Sequence, residues 1–273
     1  MNQAGQVRSR PVEVSFDRGR HWRAKLGFVV LAMEQTVEGD VFRMVPDGVG
    51  IHFARIAMSN DATLETLVTM APAIGDTARL LLPYDKPDVL CYTCNSGAMV
   101  IGEKECMRML RDAHAAAAPT TVITGVVRAV EALGARRIAV ATPYIDEINT
   151  VVHRFLGNAG FEIVEFQGMN LRSNTDIDLV DPAFIKSYAR SIDRPDADAV
   201  VICCGALRAV DVIQEIEDEL GKPVIASNQA MVWDCLRLAG LPDRVGGYGR
   251  IFDLAIEDHQ KAVAALDARA ARS

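Results

Sequence analysis

The sequence predicts an α/β fold made of two similar half-domains, each a parallel sheet flanked by helices, related by a pseudo-twofold and with the active site between them. Three observations carry this reading. Short apolar runs of strand length alternate with longer stretches of helical periodicity. The main runs are apolar along their whole length, as strands buried on both faces of a parallel sheet are. The pattern also occurs twice: "AKLGFVVLAMEQ" from Ala24 recurs in form as "RRIAVATPYIDE" from Arg136, and "DVLCYTCNSGA" from Asp88 as "DAVVICCGALR" from Asp198.

Taken in order, residues 1–22 carry Arg8, Arg10, Arg18 and Arg20 with few apolar residues and read as a flexible arm. Lys25–Leu31 is the first strand, Glu34–Val45 a helix, and Val49–Ile56 a second strand by its alternation. A helix over about 62–82 is expected next, capped by Asn60 or Asp61. The Asp88–Thr93 strand leads to a helix from about Gly97 to Ala117, stopped by Pro119. Thr120–Val122 then reads as a short strand and Gly125–Leu133 as a helix ended by Gly134. Arg136–Ala141 is a strand, and Asp146–Asn158 a helix with Gly160 just past its end. Phe161–Phe166 is a strand, Pro182–Ser191 a helix, Ala199–Cys203 a strand, and Leu207–Leu220 a helix stopped by Gly221. Pro223–Ala226 is the last strand, and Ser227-Asn228 can cap a helix to about Ala239. The expected division is residues 23–118 with 241–273 as the first half and 119–240 as the second.

Bulk properties narrow the function. A chain of 273 residues can bury a full core. Half of it is hydrophobic and 24% is charged, as in an ordinary globular protein. The net charge of −7 argues against a nucleic-acid partner. No apolar run approaches the roughly 20 residues of a membrane helix, so no membrane partner is expected. The polar N-terminus lacks an apolar signal segment. A cytoplasmic location is therefore expected, where six cysteines stay reduced.

Two of those cysteines, Cys94 and Cys204, stand where an apolar strand gives way to small residues and a helical pattern. Ligands bind at the carboxyl ends of strands in such sheets. The N–H groups of a helix start favour thiolate and bind anions. The 110-residue spacing gives one cysteine to each half. Thiols on opposite sides of a carbon suit two-base proton transfer α to a carboxylate. Alternatively, a thiolate adds to an activated double bond and lets it rotate. Either route needs donors for the carboxylate charge, and the backbone N–H groups of Asn95, Ser96, Gly97, Gly205 and Ala206 are candidates. Asn95-Ser96 can equally serve as a plain helix cap. A free cysteine is often only a small buried residue; that reading is taken for Cys106, Cys235, Cys91 and Cys203. Cys91, Cys94, Cys203 and Cys204 do not make a zinc site. Cys91 is strand-interior, neighbouring residues on a strand face opposite ways, and a second paired-cysteine spacing is missing. No metal is expected, and without a G-x-G-x-x-G or Walker pattern no nucleotide cofactor is expected either. Tyr144 ends a strand and can hold a carboxylate or simply pack. Asn174 can cap a turn. His52, His114, His153 and His259 form no constellation.

At these residues the sequence resembles the aspartate/glutamate racemase superfamily, over about Lys25 to Asp253. It is most similar to the branch of maleate cis–trans isomerases, arylmalonate decarboxylases and the racemase-like protein of ectoine-utilisation operons. The carriers are "YTCNSG" at Tyr92–Gly97, "ATPYIDEIN" at Ala141–Asn149, "SNTDI" at Ser173–Ile177, "CCGALRAVDVI" at Cys203–Ile213, "GKPVIASNQAMVWDCLRLAG" at Gly221–Gly240 and "GYGRIFD" at Gly247–Asp253. The ectoine-operon proteins add "GFVVLAMEQTVEGDVFRMVPDGVGIHFARI" at Gly27–Ile56. The resemblance implies a cofactor-independent enzyme that uses Cys94 and Cys204 as acid and base, or as nucleophile and acid. It implies carboxylate binding by Tyr144, Asn174 and Asn95-Ser96. Two departures matter. The decarboxylases have glycine where this chain has Cys94, which favours proton transfer to both faces. The isomerases have asparagine where Glu34 aligns; a carboxylate there repels a dicarboxylate and can pair with a substrate ammonium. The expectation is a racemase-type isomerase of a small carboxylic acid, an amino-acid derivative of ectoine degradation being the leading candidate. A maleate-type isomerase, an arylmalonate-type decarboxylase and a small-acid binding protein are the alternatives. A homo-oligomer, specifically a dimer, is the expected assembly.

Overall fold

The computed structural model describes residues 9–271. Its frame is two four-stranded parallel sheets. The first holds β1 (Ala24–Leu31), β2 (Val49–Ile56), β3 (Val89–Tyr92) and β4 (Ala118–Thr121) in the order β2-β1-β3-β4. The second holds β5 (Arg137–Thr142), β6 (Glu162–Gly168), β7 (Ala199–Ile202) and β8 (Val224–Ala226) in the order β6-β5-β7-β8. The identical order makes each half one copy of the same unit. The central strands β3 and β7 are buried at every residue, as their unbroken apolar runs require. The outer strand β2 is only partly covered and does not alternate strictly.

Helices connect the strands: α1 (Val37–Met44), α2 (Leu64–Val68), α3 (Ala71–Arg79), α4 (Asn95–Ile101), α5 (Glu103–Ala113) and α6 (Val122–Ala132) in the first half. The second half has α7 (Asp146–Asn158), α8 (Asn174–Asp178), α9 (Pro182–Ile192), α10 (Ile213–Leu220) and α11 (Ser227–Leu238), followed by α12 (Ile256–Ala270).

Several boundaries differ from the sequence reading, each for a local reason. The helix expected over 62–82 is two helices. Thr63 caps the first through its Oγ1, which accepts from the Thr66 N–H at 3.3 Å. Pro72 opens the second, where its missing N–H costs nothing. The helix expected from Gly97 to Ala117 breaks at Gly102, whose φ of 102° glycine adopts readily. It ends at Ala113, so Pro119 is not its stop. Pro119 instead sits in β4, an edge strand, where a missing donor is tolerated. Because β4 pairs with β3, the first sheet runs to Thr121, and a boundary after residue 118 cuts through it. The helix expected from Leu207 starts only at Ile213, after a turn and a short 3₁₀ segment. The C-terminal helix α12 packs mainly on α6 and also touches α11.

Of the expected arm, residues 1–8 lie outside the described residues. Residues 9–20 are exposed and form neither helix nor strand, and the chain first docks where His21 meets His52 edge-on. Among the described residues no helix is long and apolar enough to cross a membrane.

One buried ionic cluster ties the frame together. Asp234 of α11, fully buried, accepts from Arg128 of α6 at 3.0 and 3.1 Å and from the Thr120 hydroxyl of β4 at 2.6 Å. His259 of α12 lies 2.6 Å away through Nε2. Arg128 and His259 hold the Asp234 carboxyl below its ordinary range despite burial, which acts the other way. Removing the carboxylate would strand buried donors, so Asp234→Asn should lower the unfolding free energy by roughly 3–5 kcal/mol in urea titrations. With a depressed folded pKa, the contribution is present above the unfolded carboxylate pKa of about 4 and is lost as pH falls through the lower folded value. A wild-type-like midpoint in the variant would mean that apolar packing alone seats α12.

Candidate active site

In each sheet the winding reverses between the two central strands, and crevices open beyond the carboxyl ends of strands at such points. The loops after β1, β3, β5 and β7 carry Glu34, Cys94, Tyr144 and Cys204 respectively. The structure therefore brings these four together from two sheets. Cys94 and Cys204 each act electrostatically on Tyr144, and Glu34 acts on both thiols.

Cys94 is the N-cap of α4. Its Sγ accepts from the Gly97 N–H at 3.2 Å and lies 3.7 Å from Ser96 Oγ. Gly97 has to be glycine here, because a Cβ would stand 2.7 Å from the Tyr92 hydroxyl and 2.9 Å from the sulfur. Cys204 sits differently. No helix follows it, and its backbone takes φ 155°, which a β-carbon disfavours. Its N–H donates to Ser227 Oγ at 3.0 Å. The Ala206 N–H and the Tyr144 hydroxyl act on its sulfur.

Helix-start donors do not win at either thiol, contrary to the expectation from sequence. Both cysteines are buried, and desolvation of the thiolate is the largest influence. It pushes Cys94 up against the Gly97 N–H, Ser96 and Tyr92, and Glu34 adds to the rise. Cys204 is pushed up to about 12, with Glu34 and Cys94 adding to burial. Both are neutral thiols in the closed site. Tyr144 is also buried and raised well above its usual value, so its hydroxyl is a proton donor.

The remaining predicted residues have defined places. Asn95 donates through Nδ2 to Ser227 Oγ at 2.9 Å, while its buried Oδ1 has no hydrogen-bond partner among the described residues. Ser96 is buried beside Cys94. The Gly205 carbonyl accepts from Asn228 Nδ2 at 2.7 Å, and the Ala206 carbonyl from Thr36 Oγ1 at 3.1 Å. Asn174 lies at the start of α8, where its Nδ2 donates to the Asn60 carbonyl at 3.0 Å; it clamps two loops of opposite halves together. Asn60 and Asp61, expected as helix caps, serve that clamp instead, Asp61 pairing with Arg172 at 2.9 Å. Glu34 Oε1 accepts from the N–H groups of Gln35, Thr36 and Val37 at 3.1, 2.8 and 3.2 Å, filling the N-terminus of α1. Among the described residues no group of three or more His, Cys, Asp or Glu side chains could hold a metal ion.

Sequence reasoning missed three residues of the site. Ser227 and Asn228 were read as caps, yet Ala226 is the N-cap of α11 and both side chains reach toward the Cys204 loop. Their signal was small polar residues at the end of β8, the strand beside β7, which is readable only once the strand order is known. Asp178, at the end of α8, accepts from Gln35 Nε2 at 3.1 Å and gave no signal at all.

The profile of the arylmalonate decarboxylase family matches residues 103–252. The arylmalonate decarboxylase of Bordetella bronchiseptica is 35% identical over 140 residues, 49% of this chain and 57% of that relative's length. The maleate isomerase of Nocardia farcinica is 28% identical over 239 residues, covering 83% of this chain and 94% of that one. A solved structure of a cysteine-to-serine mutant of the Nocardia farcinica maleate cis–trans isomerase, with a covalently bound succinylcysteine intermediate, superposes with a TM-score of 0.77 at 25% identity. It covers 84% of this chain and 98% of its own.

Two measurements test this site. Thiols held neutral by burial react only through a small thiolate fraction. Iodoacetamide labelling of Cys94 and Cys204, followed by mass spectrometry, should be slow at neutral pH and climb about tenfold per pH unit above it; a rate already flat at neutral pH would show a preformed thiolate. Ser227→Ala would orphan the Cys204 N–H and Asn95 Nδ2, at about 1–3 kcal/mol for each buried donor. Urea titration should show that loss, and Ser227→Gly should not restore it.

Proposed function

The chain belongs to the arylmalonate decarboxylase family, and from that premise we propose that it is a cofactor-independent isomerase of racemase type. In this reading it acts on a small carboxylic acid through Cys94 and Cys204. The observation that carries it is the pair of buried thiols at the ends of β3 and β7, each held by its own donors and facing the same group of residues. One thiol, as thiolate, removes the proton α to the carboxylate and becomes a neutral thiol. The other delivers its proton to the opposite face of the planar intermediate and is left as thiolate. Protons and charge balance, and the reverse reaction exchanges the roles. Tyr144 is the donor for the carboxylate as its charge grows. The resting site needs a proton removed from one thiol before the cycle begins, and the Glu34 charge, which raises both thiols, works against that step. An amino-acid derivative from ectoine degradation is the substrate the sequence resemblance favours.

A second reading has an observation of its own. The Nocardia farcinica relative carries a succinylcysteine. In a maleate-type reaction one cysteine, as thiolate, would add to one carbon of the double bond while the other thiol protonates the neighbouring carbon; after rotation about the new single bond the second cysteine, now thiolate, takes that proton back and the first is expelled.

Single serine variants separate the readings. Serine keeps the geometry but ionises poorly, so Cys94→Ser should exchange the α-proton of one enantiomer with D₂O through Cys204, and Cys204→Ser that of the other. Racemisation itself should fall about a thousandfold or more in either variant, because neither face can lose its acid–base group. Equal exchange of both enantiomers in a single variant would overturn the two-base assignment, and covalent trapping at one cysteine only would favour the maleate-type route.

A further inference from the structure

Two acidic groups of the site lie near each other, and only one of them, Glu34, feels a cation, Arg55. Asp178 belongs to the second half and is 7% exposed; Glu34 belongs to the first and is 8% exposed. They lie close enough for the Glu34 charge to push Asp178 up to about 6, after burial, with Gln35 and Thr36 offsetting only part of the rise. Asp178 Oδ2 is held by Gln35 Nε2. Its Oδ1 is buried with no hydrogen-bond partner among the described residues. Burial and the Glu34 charge act against ionised Asp178, and only the Gln35 and Thr36 side chains act for it. Arg55 pairs with Glu38 at 2.9 Å and donates to the carbonyls of Leu31, Ala32 and Glu34, while Arg208 donates to the Val180 carbonyl. A buried carboxylate oxygen without a donor, next to a second carboxylate, is an arrangement that native structures avoid unless something fills it.

A ligand group that suits this pair donates hydrogen bonds and carries positive charge. Among the described residues no third His, Cys, Asp or Glu joins these two carboxylates in a group that could hold a metal ion. A protonated amine meets both requirements, with three N–H donors to offer to Asp178 Oδ1 and to Glu34.

The geometry points to Asp178, with Glu34, as a subsite for a protonated amine, so that the substrate class is an amino-bearing carboxylic acid rather than a simple mono- or dicarboxylate. This inference rests on the reading of Cys94 and Cys204 as the reacting pair, and it adds what lies at the substrate's other end. Asp178 would lock the amine from the α8 side while Glu34 is held in place by three backbone N–H groups.

Protection of Cys94 and Cys204 from iodoacetamide in the full chain tests it. Matched acids serve as probes: L-2-aminobutyrate against butyrate, L-ornithine against valerate, and L-aspartate against succinate. At least one aminated acid should protect both thiols at a concentration about tenfold or more below its amine-free partner, as a charge-assisted contact to a buried carboxylate implies. Asp178→Asn should bring that pair together, and Glu34→Gln should reduce the preference in the same direction. If Asp178→Asn does not fold, as read by circular dichroism, Glu34→Gln alone decides. Amine-free acids protecting as well as their partners in the wild type, or a preference unchanged in the folded variants, overturns the inference. Protection by maleate but by no aminated acid overturns it while leaving the thiol reading standing. The serine-variant exchange experiment tests that reading separately.

Discussion

The Ser227 hydroxyl is the joint on which the site depends. It is 1% exposed and meets the Cys204 N–H at 3.0 Å, Asn95 Nδ2 at 2.9 Å and the Ile202 carbonyl at 3.4 Å. Asn95 follows Cys94, so one oxygen links the two cysteine loops across two separate sheets. The neighbouring contacts repeat the device. Thr36 of the first half holds the Ala206 carbonyl, and Asn228 spans Gly205 and Asp40. The Ser227–Asn95, Thr36–Ala206 and Asn228–Asp40 bonds cross between the halves, and Ser227 and Asn228 also hold Cys204 and Gly205 within the second. A small error in how the sheets meet would therefore appear first as a change in the distance between the sulfurs, on which proximity effects depend steeply.

That joint also explains how Cys204 keeps its backbone conformation. A residue with a β-carbon at φ 155° returns toward ordinary values unless its neighbours prevent it. Here the Cys204 N–H is held by Ser227 and the Cys203 N–H by the Ala141 carbonyl at 2.9 Å. The turn re-aims the thiol in a way that a helix beginning directly at Gly205 could not. Cys94, by contrast, uses a regular helix N-cap and a glycine three residues on. The duplicated halves thus present their thiols by two different local solutions.

Much of the frame was legible because burial on both faces leaves an unbroken apolar run, and a run that ends in a small polar residue marks a strand end. Cys94, Tyr144 and Cys204 are found where those run endings put them. Helix limits were less legible wherever a glycine or turn interrupts a continuous helical pattern, as at Gly102 and over 205–212. Pro119 misled because the same residue suits a helix stop and an edge strand. Ser227 and Asp178 were not legible. Their meaning lies in partners 132 and 143 residues away, which no local pattern encodes. The thiol ionisation was misjudged for a related reason: donors at a helix start can be inferred from sequence, whereas the depth of burial that overrides them cannot.

The charges of the site bear on one another. Glu34 acts on both thiols and on Asp178, and in each case its charge works against a further negative charge. Three of those four groups are pushed up chiefly by burial, and so is Glu34 itself. A site of this kind resists forming a thiolate, which also protects it from stray alkylation and oxidation. A ligand that brings a positive charge between Glu34 and Asp178 changes the balance, because it offsets the repulsion felt by the sulfurs in a medium of low dielectric. Under the amine reading, ionisation of a thiol then follows occupation of the cleft, and the group that confers substrate choice is also the one that switches the acid–base pair on.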